Sequence, residues 1–309
     1  MKVQVAIIGG GPAGMSAAIW CKRLNISHIL LEENAVLGAQ LASIHNAIID
    51  YPGLVTKNGE QFRQALVKHV EELGCTVESG VKIVHLDSGN LEIRYQQHGR
   101  TVTLGAESMI LATGTSPRKL LIPGEQEMLD RGETYSASKD AGRFAGRRVA
   151  VVGGGDRALE GALLLSKHCS KVYVIHRSHH FRARSDYIRE AEQTNNIVML
   201  KNCVLERIQG NDRVENIMFR NLETNEVETI QVDGVLIRIG VQSNIPLIQE
   251  KVKTDPEGYI MTDAYGQTNI PGIFAIGDVC TPPLYSSLSN AIGQGMVSVK
   301  YIHSHILRR

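Results

Sequence analysis

Two glycine-rich turns constrain the fold of this chain more than any other feature of its sequence. The first is Gly9-x-Gly11-x-x-Gly14, which follows the apolar run VQVAII. The second is Gly153-x-Gly155-x-x-Ala158, which follows RVAVV. A continuous β-branched run predicts a buried parallel strand, and the residues after each turn have helical periodicity. The chain is therefore predicted to have an α/β fold with two Rossmann-like units.

The first turn has the residues that a dinucleotide requires. The first glycine allows the tight turn, the second lets a pyrophosphate approach the backbone, and the third lets helix and strand pack closely. The phosphates would then lie at the positive end of the helix dipole. The next strand, SHILLEEN, ends at Glu32, roughly 20 residues further on, where an acid binds ribose hydroxyls. A carboxylate repels a 2′-phosphate, so this site favours FAD or NAD over NADP. The alternative is a chance cluster of glycines.

The second turn has the opposite charge at the corresponding place. Its helix begins near Asp156, and the following strand, KVYVI, ends in His176-Arg177 instead of an acid. Arg182 and Arg184 follow closely. A 2′-phosphate requires positive charge here, so the turn is interpreted as a nucleotide phosphate site, with an exposed basic turn as the alternative. Two dinucleotides in one chain indicate redox chemistry.

Two further segments predict a buried strand that runs into a glycine turn. One is the stretch 107–118, which turns at Gly114. The other is a strand over Ile273–Ile276, followed by Gly277-Asp278 and then by a long helix. An aspartate that follows a buried strand and faces a helix N-terminus is well placed to bind a ribityl hydroxyl. Asp278 is therefore a candidate flavin ligand.

Composition excludes several classes of protein. A length of 309 residues favours two domains, and a net charge of +1 gives no footprint for a nucleic acid. No apolar run reaches the length of a membrane span. The five cysteines have no CxxC or other paired spacing, which predicts a cytoplasmic protein without a disulfide scaffold or zinc site. The histidines at 176, 179 and 180 are interpreted as part of a solvated turn rather than a metal site.

The ordered motifs resemble those of the two-dinucleotide-binding flavoproteins, and most closely the low-molecular-weight thioredoxin reductase group. The matching stretches, in that family's order, are GGGPAG at 9–14, GAQLASIHNAIIDYPG at 38–53, ATG at 112–114, GGGDRA at 153–158 and GIFAIGDV at 272–279. The resemblance implies a discontinuous FAD-binding domain over 1–116 and 245–309. It implies an NAD(P)-binding-like domain over 117–244, inserted into the first, with both domains of the three-layer ββα type. It also implies a homodimer whose domains rotate about connections near 113–115 and 238–240.

The resemblance also assigns cofactor contacts residue by residue. For FAD it implies Gly9, Gly11, Gly14, Glu32, Gln40 and Asp278, to which Pro12, Ala13, Gly114 and Gly277 are added as neighbours. For the nicotinamide nucleotide it implies Gly153, Gly155, Ala158, Arg177 and Arg182, with Asp156 added. Two positions depart from the family's pattern. Ala39 replaces the second glycine of a GGQ turn, and Ser178 replaces the second arginine of HRR, which weakens the case for NADPH.

The family's redox-active CxxC is missing from the place where the resemblance expects it. That place is occupied by YSASKD, in which the hydroxyls of Ser136 and Ser138 cannot form a disulfide. Thioredoxin reduction by the standard route is therefore not expected. Tyr135 becomes a candidate for flavin contact, and Cys280, next to Asp278, is a candidate thiolate near the flavin. Packing against the cofactor is the favoured role for Cys280, and the other four cysteines are interpreted as structural.

Three functions remain open. The first is an FAD enzyme that takes hydride from NAD(P)H and passes electrons to a separate acceptor, as in the thioredoxin-reductase-type ferredoxin/flavodoxin–NADP reductases that the chain also resembles. The second is a diflavin oxidoreductase with a second FAD in the NADPH site and a protein or disulfide partner. The third is a non-catalytic flavin-binding redox sensor.

Overall fold

The computed structural model describes residues 1–245, 248 and 251–307. Within these residues strands and helices alternate along much of the chain. The strands are β1 (Lys2–Ile8), β2 (His28–Glu32), β3 (Val77–Ser79), β4 (Lys82–Asp87), β5 (Glu92–Gln97), β6 (Arg100–Leu111), β7 (Thr115–Pro117), β8 (Arg148–Val152), β9 (Lys171–Ile175), β10 (Ile197–Leu200), β11 (Cys203–Gln209), β12 (Asn216–Asn221), β13 (Val227–Gln231), β14 (Gly234–Ile237), β15 (Val241–Ser243) and β16 (Ile273–Ala275). The α-helices are α1 (Pro12–Arg23), α2 (Gly59–Glu72), α3 (Glu125–Asp130), α4 (Ala137–Asp140), α5 (Asp156–Ser166), α6 (Ser185–Gln193) and α7 (Leu288–His305).

The chain divides into two compact units. The first unit combines Met1–Ser116 with Gln242–Arg309, and the second is Pro117–Val241. The chain thus enters and leaves the second unit through two short strands, β7 and β15, which pair with each other. The prediction of an α/β fold with two Rossmann-like units, the second inserted into the first, is confirmed.

The sheet of the first unit follows the order β3-β2-β1-β6-β5-β4, with β16 also paired to β6. Strands β3, β2, β1, β6 and β16 run parallel, whereas β5 and β4 continue the sheet antiparallel from the first half of β6. One face of the parallel part packs on α1 and α7 around Ile7 and Ile110. The other face packs against the β4–β5 region around Ile29 and Ile93. These contacts produce three layers around two apolar cores.

The second unit repeats this arrangement with fewer strands. Its parallel sheet has the order β10-β9-β8-β14, and a separate antiparallel sheet has the order β11-β12-β13. Helix α5 packs on one face of the parallel sheet around Val151 and Val174. The antiparallel sheet packs on the other face around Ala150 and Phe219. Both units are therefore ββα sandwiches whose parallel strands end at a glycine turn.

Most predicted elements form with small changes of boundary. The strand predicted over Ile273–Ile276 ends at Ala275, and the long C-terminal helix begins at Leu288 with Ser287 as its N-cap. The segment after Tyr135 forms the short helix α4. Among the described residues, no helix is long and apolar enough to cross a membrane.

Candidate functional site

The first glycine turn is held by backbone hydrogen bonds to three other segments. Gly9 N donates to Leu31 O at the end of β2 over 2.8 Å, and Gly38 N donates to Gly10 O over 2.8 Å. Ala112 N, just after β6, donates to Ile8 O over 2.7 Å. The turn therefore lies where the carboxyl ends of three parallel strands meet, which is where open α/β sheets bind ligands.

The second turn has equivalent hydrogen bonds. From the first strand to the residue equivalent to Gly38, each residue number in the second unit is 144 higher than in the first. Gly153 N donates to Ile175 O over 3.0 Å, and Arg182 N donates to Gly154 O over 2.8 Å. After β14, Arg238 N donates to Val152 O over 2.7 Å, as Ala112 N does to Ile8 O. The two units therefore present the same backbone framework, and a side chain in one can be matched to its counterpart in the other.

The glycines of each turn differ in the space around them. A Cβ on Gly9, which has φ of 107°, would lie 2.3 Å from Ala112 O, and one on Gly14 would lie 1.9 Å from Gly9 O. A Cβ on Gly153 would lie 2.1 Å from Arg238 O. By contrast, a Cβ on Gly11 or Gly155 would meet no protein atom within 4 Å. Each turn therefore leaves open space at the glycine that should face a pyrophosphate, so the residues present fit a dinucleotide.

Glu32 is placed against the first turn by the end of β2. Its side chain is buried, and Oε2 accepts a hydrogen bond of 2.6 Å from Gly10 N. Oε1 accepts from Asn34 N at 2.7 Å and from the Asn34 side-chain amide at 2.6 Å. These bonds fix the carboxylate beside the glycines, where it can accept hydrogen bonds from ribose hydroxyls.

His176 takes the position of Glu32 in the second unit. Its ring is buried, stacks on Phe181 with 4.8 Å between ring centroids, and contacts His180 O through Nε2 at 3.1 Å. A Cβ on Gly154 would lie 2.3 Å from the ring. Burial lowers the pKa of His176, and Arg182 and Arg177 lower it further. The ring is therefore biased to the neutral form, which adds no negative charge beside the phosphate site.

Four arginines surround the second turn at positions that carry no positive charge in the first. Arg177 replaces Glu33, Arg182 replaces Gly38, Arg157 replaces Ala13 and Arg238 replaces Ala112. Arg177, Arg182 and Arg157 are exposed, whereas Arg238 is half-buried. The shared backbone framework thus carries the opposite charge in the second unit, which suits a ligand with more phosphate charge.

Arg184 and Asp156 each already have a bonding partner in the protein. The Arg184 guanidinium pairs with Asp186 and lies 4.5 Å from the centre of the Tyr187 ring. Asp156 Oδ1 accepts a hydrogen bond of 2.8 Å from Arg184 N. Asp156 therefore fixes the start of α6 against the start of α5. Arg184 would have to leave Asp186 in order to supply the positive charge that is missing at Ser178.

Two other predicted FAD residues reach the first turn from distant parts of the chain. Gly277, with φ of 75°, lies against the start of α1, since a Cβ there would be 2.9 Å from the Ala13 Cβ. It brings Asp278 to the turn, where Asp278 Oδ1 accepts a hydrogen bond of 2.7 Å from Ser286 Oγ. The chain just after β16 is thereby brought close to the N-terminus of α1.

Gln40 lies beside the strand end that carries Gly114. Its Nε2 donates to Thr115 O over 2.6 Å, and its Oε1 lies 3.8 Å from the place of a Gly114 Cβ. Gly114 has φ of 64°, a conformation that glycine adopts without strain. The structure therefore brings together Gly9, Gly11, Pro12, Ala13, Gly14 and Glu32 around one turn, with Asp278 and Gly277 at its helix and Gln40 at the neighbouring strand end.

Comparison with known proteins agrees with this arrangement. The model of the pyridine nucleotide-disulphide oxidoreductases matches residues 3–295. The chain belongs to this family. A thioredoxin reductase of Peptoclostridium acidaminophilum is 35% identical over 89% of this chain and 88% of its own. The 34.2 kDa protein in the rubredoxin operon of Clostridium pasteurianum is 27% identical over 99% of this chain and 97% of its own. A crystal structure of Lactococcus lactis thioredoxin reductase in its FR conformation shares 31% identity over 100% of both chains, with a TM-score of 0.81.

Membership of the pyridine nucleotide-disulphide oxidoreductase family establishes the broad activity and the cofactors. The family uses FAD and NAD(P)H, and this chain is an FAD-dependent oxidoreductase with a thioredoxin reductase-like fold. The prediction of an oxidoreductase that uses FAD is confirmed. Redox chemistry with two dinucleotide cofactors thus accounts for both the fold and the two glycine turns.

The segment in which the resemblance led us to expect a dithiol has well-defined contacts inside the second unit. The Tyr135 ring packs edge-on against Phe144 with 4.8 Å between ring centroids, and its hydroxyl donates to Glu133 Oε2 at 3.3 Å. Burial and then the Glu133 carboxylate raise the pKa of Tyr135. The hydroxyls of Ser136 and Ser138 lie 3.0 Å apart. This segment therefore presents a phenol and two hydroxyls.

Cys280 lies in the turn after Asp278 and is half-buried. Its Sγ donates to Gly277 O at 3.3 Å and to Ala275 O at 3.4 Å. Burial raises the pKa of Cys280 to about 11. The thiol form therefore dominates at neutral pH, which disfavours the reactive thiolate considered from the sequence. Burial also raises the pKa of each of the other four cysteines.

Sequence reasoning missed Arg238 and Arg157 as functional candidates. Arg238 interrupts the apolar stretch VLIRIG directly after β14, and an arginine at that place is the signal that could have identified it. Within the described part of the chain, no group of three or more His, Cys, Asp or Glu residues could hold a metal ion. His179 and His180 lie on the exposed turn beside the second site.

Proposed function

We propose that this protein is an NADPH-dependent FAD oxidoreductase that passes electrons to a separate acceptor, a small carrier protein of the ferredoxin or flavodoxin type. FAD in the first unit and NADPH in the second would together convert a two-electron hydride into electrons for that carrier. The chain's own residues bind and orient the two dinucleotides. The acceptor, and any dithiol chemistry, lie outside the chain.

The first unit, residues 1–116 and 245–309, is proposed as the FAD-binding domain. Gly11 leaves room for the pyrophosphate, and Glu32 offers a buried carboxylate to the ribose. Asp278 adds a second carboxylate next to Gly277, which lies against the start of α1, and this carboxylate is expected to bind a ribityl hydroxyl. Both carboxylates accept hydrogen bonds from hydroxyls, and neither suits a 2′-phosphate.

The second unit, residues 117–244, is proposed as the NADPH-binding domain. His176 replaces the acid of the first unit, and Arg177 and Arg182 extend from the same turn with exposed side chains. The structure records no ion pair for Arg177 or Arg182 among the described residues. Two guanidinium groups free to bind a 2′-phosphate favour NADPH over NADH, and also over a second FAD.

The observation that carries the external acceptor is the pair Ser136 and Ser138, whose hydroxyls face each other at 3.0 Å in the segment expected to hold the dithiol. The sequence contains no two cysteines separated by two residues. The relative from a rubredoxin operon supports a small electron carrier as the partner class, because rubredoxin is such a carrier. Ser136 and Ser138 would therefore provide no dithiol relay between a bound flavin and the partner.

Rapid mixing under anaerobic conditions tests the proposal. The FAD-loaded protein is mixed with NADPH or NADH while flavin absorbance near 450 nm is followed, and ferredoxin, flavodoxin or thioredoxin is then added. We expect NADPH to bleach the flavin faster than NADH, and a one-electron carrier to restore the colour while thioredoxin does not. Absence of bleaching, or reoxidation by thioredoxin disulfide, would contradict the proposal.

Three further measurements address the remaining expectations. One flavin per chain after denaturation is the expected count, and two would favour the diflavin alternative. Light scattering of the loaded protein is expected to give the mass of a homodimer. Fractionation of cells that express the protein is expected to place it in the cytoplasm.

A further inference from the structure

The structure assigns Arg238 as a pyrophosphate-binding residue of the second dinucleotide site, an inference that rests on the proposed nucleotide role of that unit. Arg238 follows β14 directly, at the carboxyl end of the parallel sheet. Its carbonyl oxygen lies 2.1 Å from the place of a Gly153 Cβ, so its backbone forms part of the wall of the turn. Dinucleotide pyrophosphates bind at this edge of such sheets.

The Arg238 guanidinium is fixed but not neutralised. Nη2 donates to Tyr135 O at 2.6 Å, and Nη1 donates to Ile237 O at 2.8 Å. These bonds use two of the five N–H groups of a guanidinium. Across the described residues, no carboxylate pairs with Arg238. Arginines that are removed from water usually have an anionic partner, so the remaining donors are available for one.

A second cation close to Arg238 strengthens the case for an anion. Arg157 lies in the first turn of α5, and its charge, together with the larger effect of burial, lowers the pKa of Arg238. Two guanidinium groups near each other are unfavourable unless an anion lies between them or near both. The start of α5 adds the partial positive charge of a helix N-terminus to the same place.

The first unit shows that the shared backbone does not require this arginine. Ala112 occupies the position of Arg238, and Ala13 occupies the position of Arg157. The backbone N–H of residue 112 or 238 donates the same hydrogen bond to the carbonyl at the end of the first strand of its unit. The turn therefore forms without either arginine. Their presence in the second unit is a property of ligand binding there rather than of the turn's own stability.

The bond to Tyr135 O sets the direction of the guanidinium. Tyr135 precedes α4, and α4 packs on α5, since a Cβ on Gly161 of α5 would lie 3.5 Å from the Ala137 Cβ. The Tyr135 carbonyl thereby holds Arg238 beside the start of α5. Arg177 and Arg182 lie on the loop after β9, so Arg238 recognises a different part of the nucleotide from the 2′-phosphate that they are expected to bind.

Calorimetry on the FAD-loaded protein separates these two roles. The variants are Arg238→Gln and Arg177→Ala, with Arg207→Gln, an exposed arginine of β11, as the surface control. The probes are NADP⁺, which has both phosphate groups, adenosine 2′-monophosphate, which lacks the pyrophosphate, and inorganic pyrophosphate as a competitor. We expect Arg238→Gln to weaken the binding of NADP⁺ about tenfold, because a charge-assisted hydrogen bond is lost. The affinity for adenosine 2′-monophosphate should be unchanged.

The other outcomes also decide the question. Arg177→Ala is expected to weaken the binding of both nucleotides. Pyrophosphate should compete with NADP⁺ less well in Arg238→Gln than in the wild type. Unchanged NADP⁺ binding in Arg238→Gln would overturn the inference. Equal weakening of both nucleotides would also overturn it, because Arg238 would then support the fold of the unit. If the wild type binds no nicotinamide nucleotide, the proposed function fails, and direct titration of wild type and Arg238→Gln with pyrophosphate still decides the role of Arg238.

Discussion

Glu32 and His176 occupy the same position in two copies of one backbone framework. Glu32 accepts a hydrogen bond of 2.6 Å from Gly10 N, whereas the ring of His176 lies over Gly154 and carries no negative charge. The exchange of a carboxylate for an imidazole at one strand end is therefore expected to change which nucleotide the turn binds. The predictions below test this difference and the geometry around it.

Glu32→Gln is expected to lower FAD affinity about tenfold, because the amide loses the charge that strengthens hydrogen bonds to the ribose. The measurement is FAD content per chain after gel filtration, with a flavin titration of the stripped protein. Glu33→Gln is the matched control, since Glu33 is exposed and next in sequence. Equal flavin retention by both variants would show that Glu32 serves only to hold Gly10 and Asn34.

Gly11→Ala and Gly14→Ala are expected to fail in different ways. A Cβ on Gly11 meets no protein atom, so the flavin-free protein should unfold at the wild-type temperature while FAD binding is lost. A Cβ on Gly14 would lie 1.9 Å from Gly9 O, so the fold itself should lose stability, by roughly 1–3 kcal/mol for an overpacked site. Thermal unfolding of both flavin-free variants, together with FAD titration, checks this pair. A destabilised Gly11→Ala protein would contradict the open space at that residue.

Arg177→Ala is expected to raise the KM for NADPH much more than the KM for NADH, since only NADPH has the 2′-phosphate. Steady-state flavin reduction with both nucleotides provides the measurement. Arg184→Ala is the control, because the Arg184 side chain is bound by Asp186 and Tyr187 and should change the ratio little. Equal changes in both KM values for Arg177→Ala would exclude Arg177 as the residue that distinguishes the nucleotides.

Cys280 is expected to react slowly with iodoacetamide at pH 7.5 and faster as the pH approaches 11, since burial raises its pKa to about 11. The folded-state pKa is higher than that of the unfolded chain. The stability that this thiol contributes is thus complete below the unfolded pKa and is lost as pH rises through about 11. Peptide mapping of alkylated native and urea-unfolded protein measures the difference.

The matched variant tests the role of Cys280 in catalysis. Cys280→Ser is expected to retain the wild-type rate of flavin reduction, because a protonated thiol bonded to Gly277 O and Ala275 O carries no redox step. Rapid alkylation of Cys280 at neutral pH, combined with loss of flavin reduction in Cys280→Ser, would instead show a functional thiolate.

The strands and turns next to the glycines were predictable because their signals are local. The apolar runs before Gly9 and Gly153, and the strand that ends in His176-Arg177, encode both conformation and placement within a few residues. The short helix α4, after Tyr135, was not predicted. A one-turn helix has no strong periodicity, so long-range packing decides its conformation.

The sequence alone determined the two glycine turns, the opposite charges of Glu32 and Arg177, and the hydroxyl side chains at Ser136 and Ser138, since each depends on neighbouring residues. Only the tertiary structure decided that Arg238 belongs to the second turn. The pairing of β14 beside β8 brings Arg238 to Gly153 and to Tyr135 O, 103 residues away in sequence. Such pairing depends on which strands share a buried sheet, and no local pattern encodes the partner of a strand.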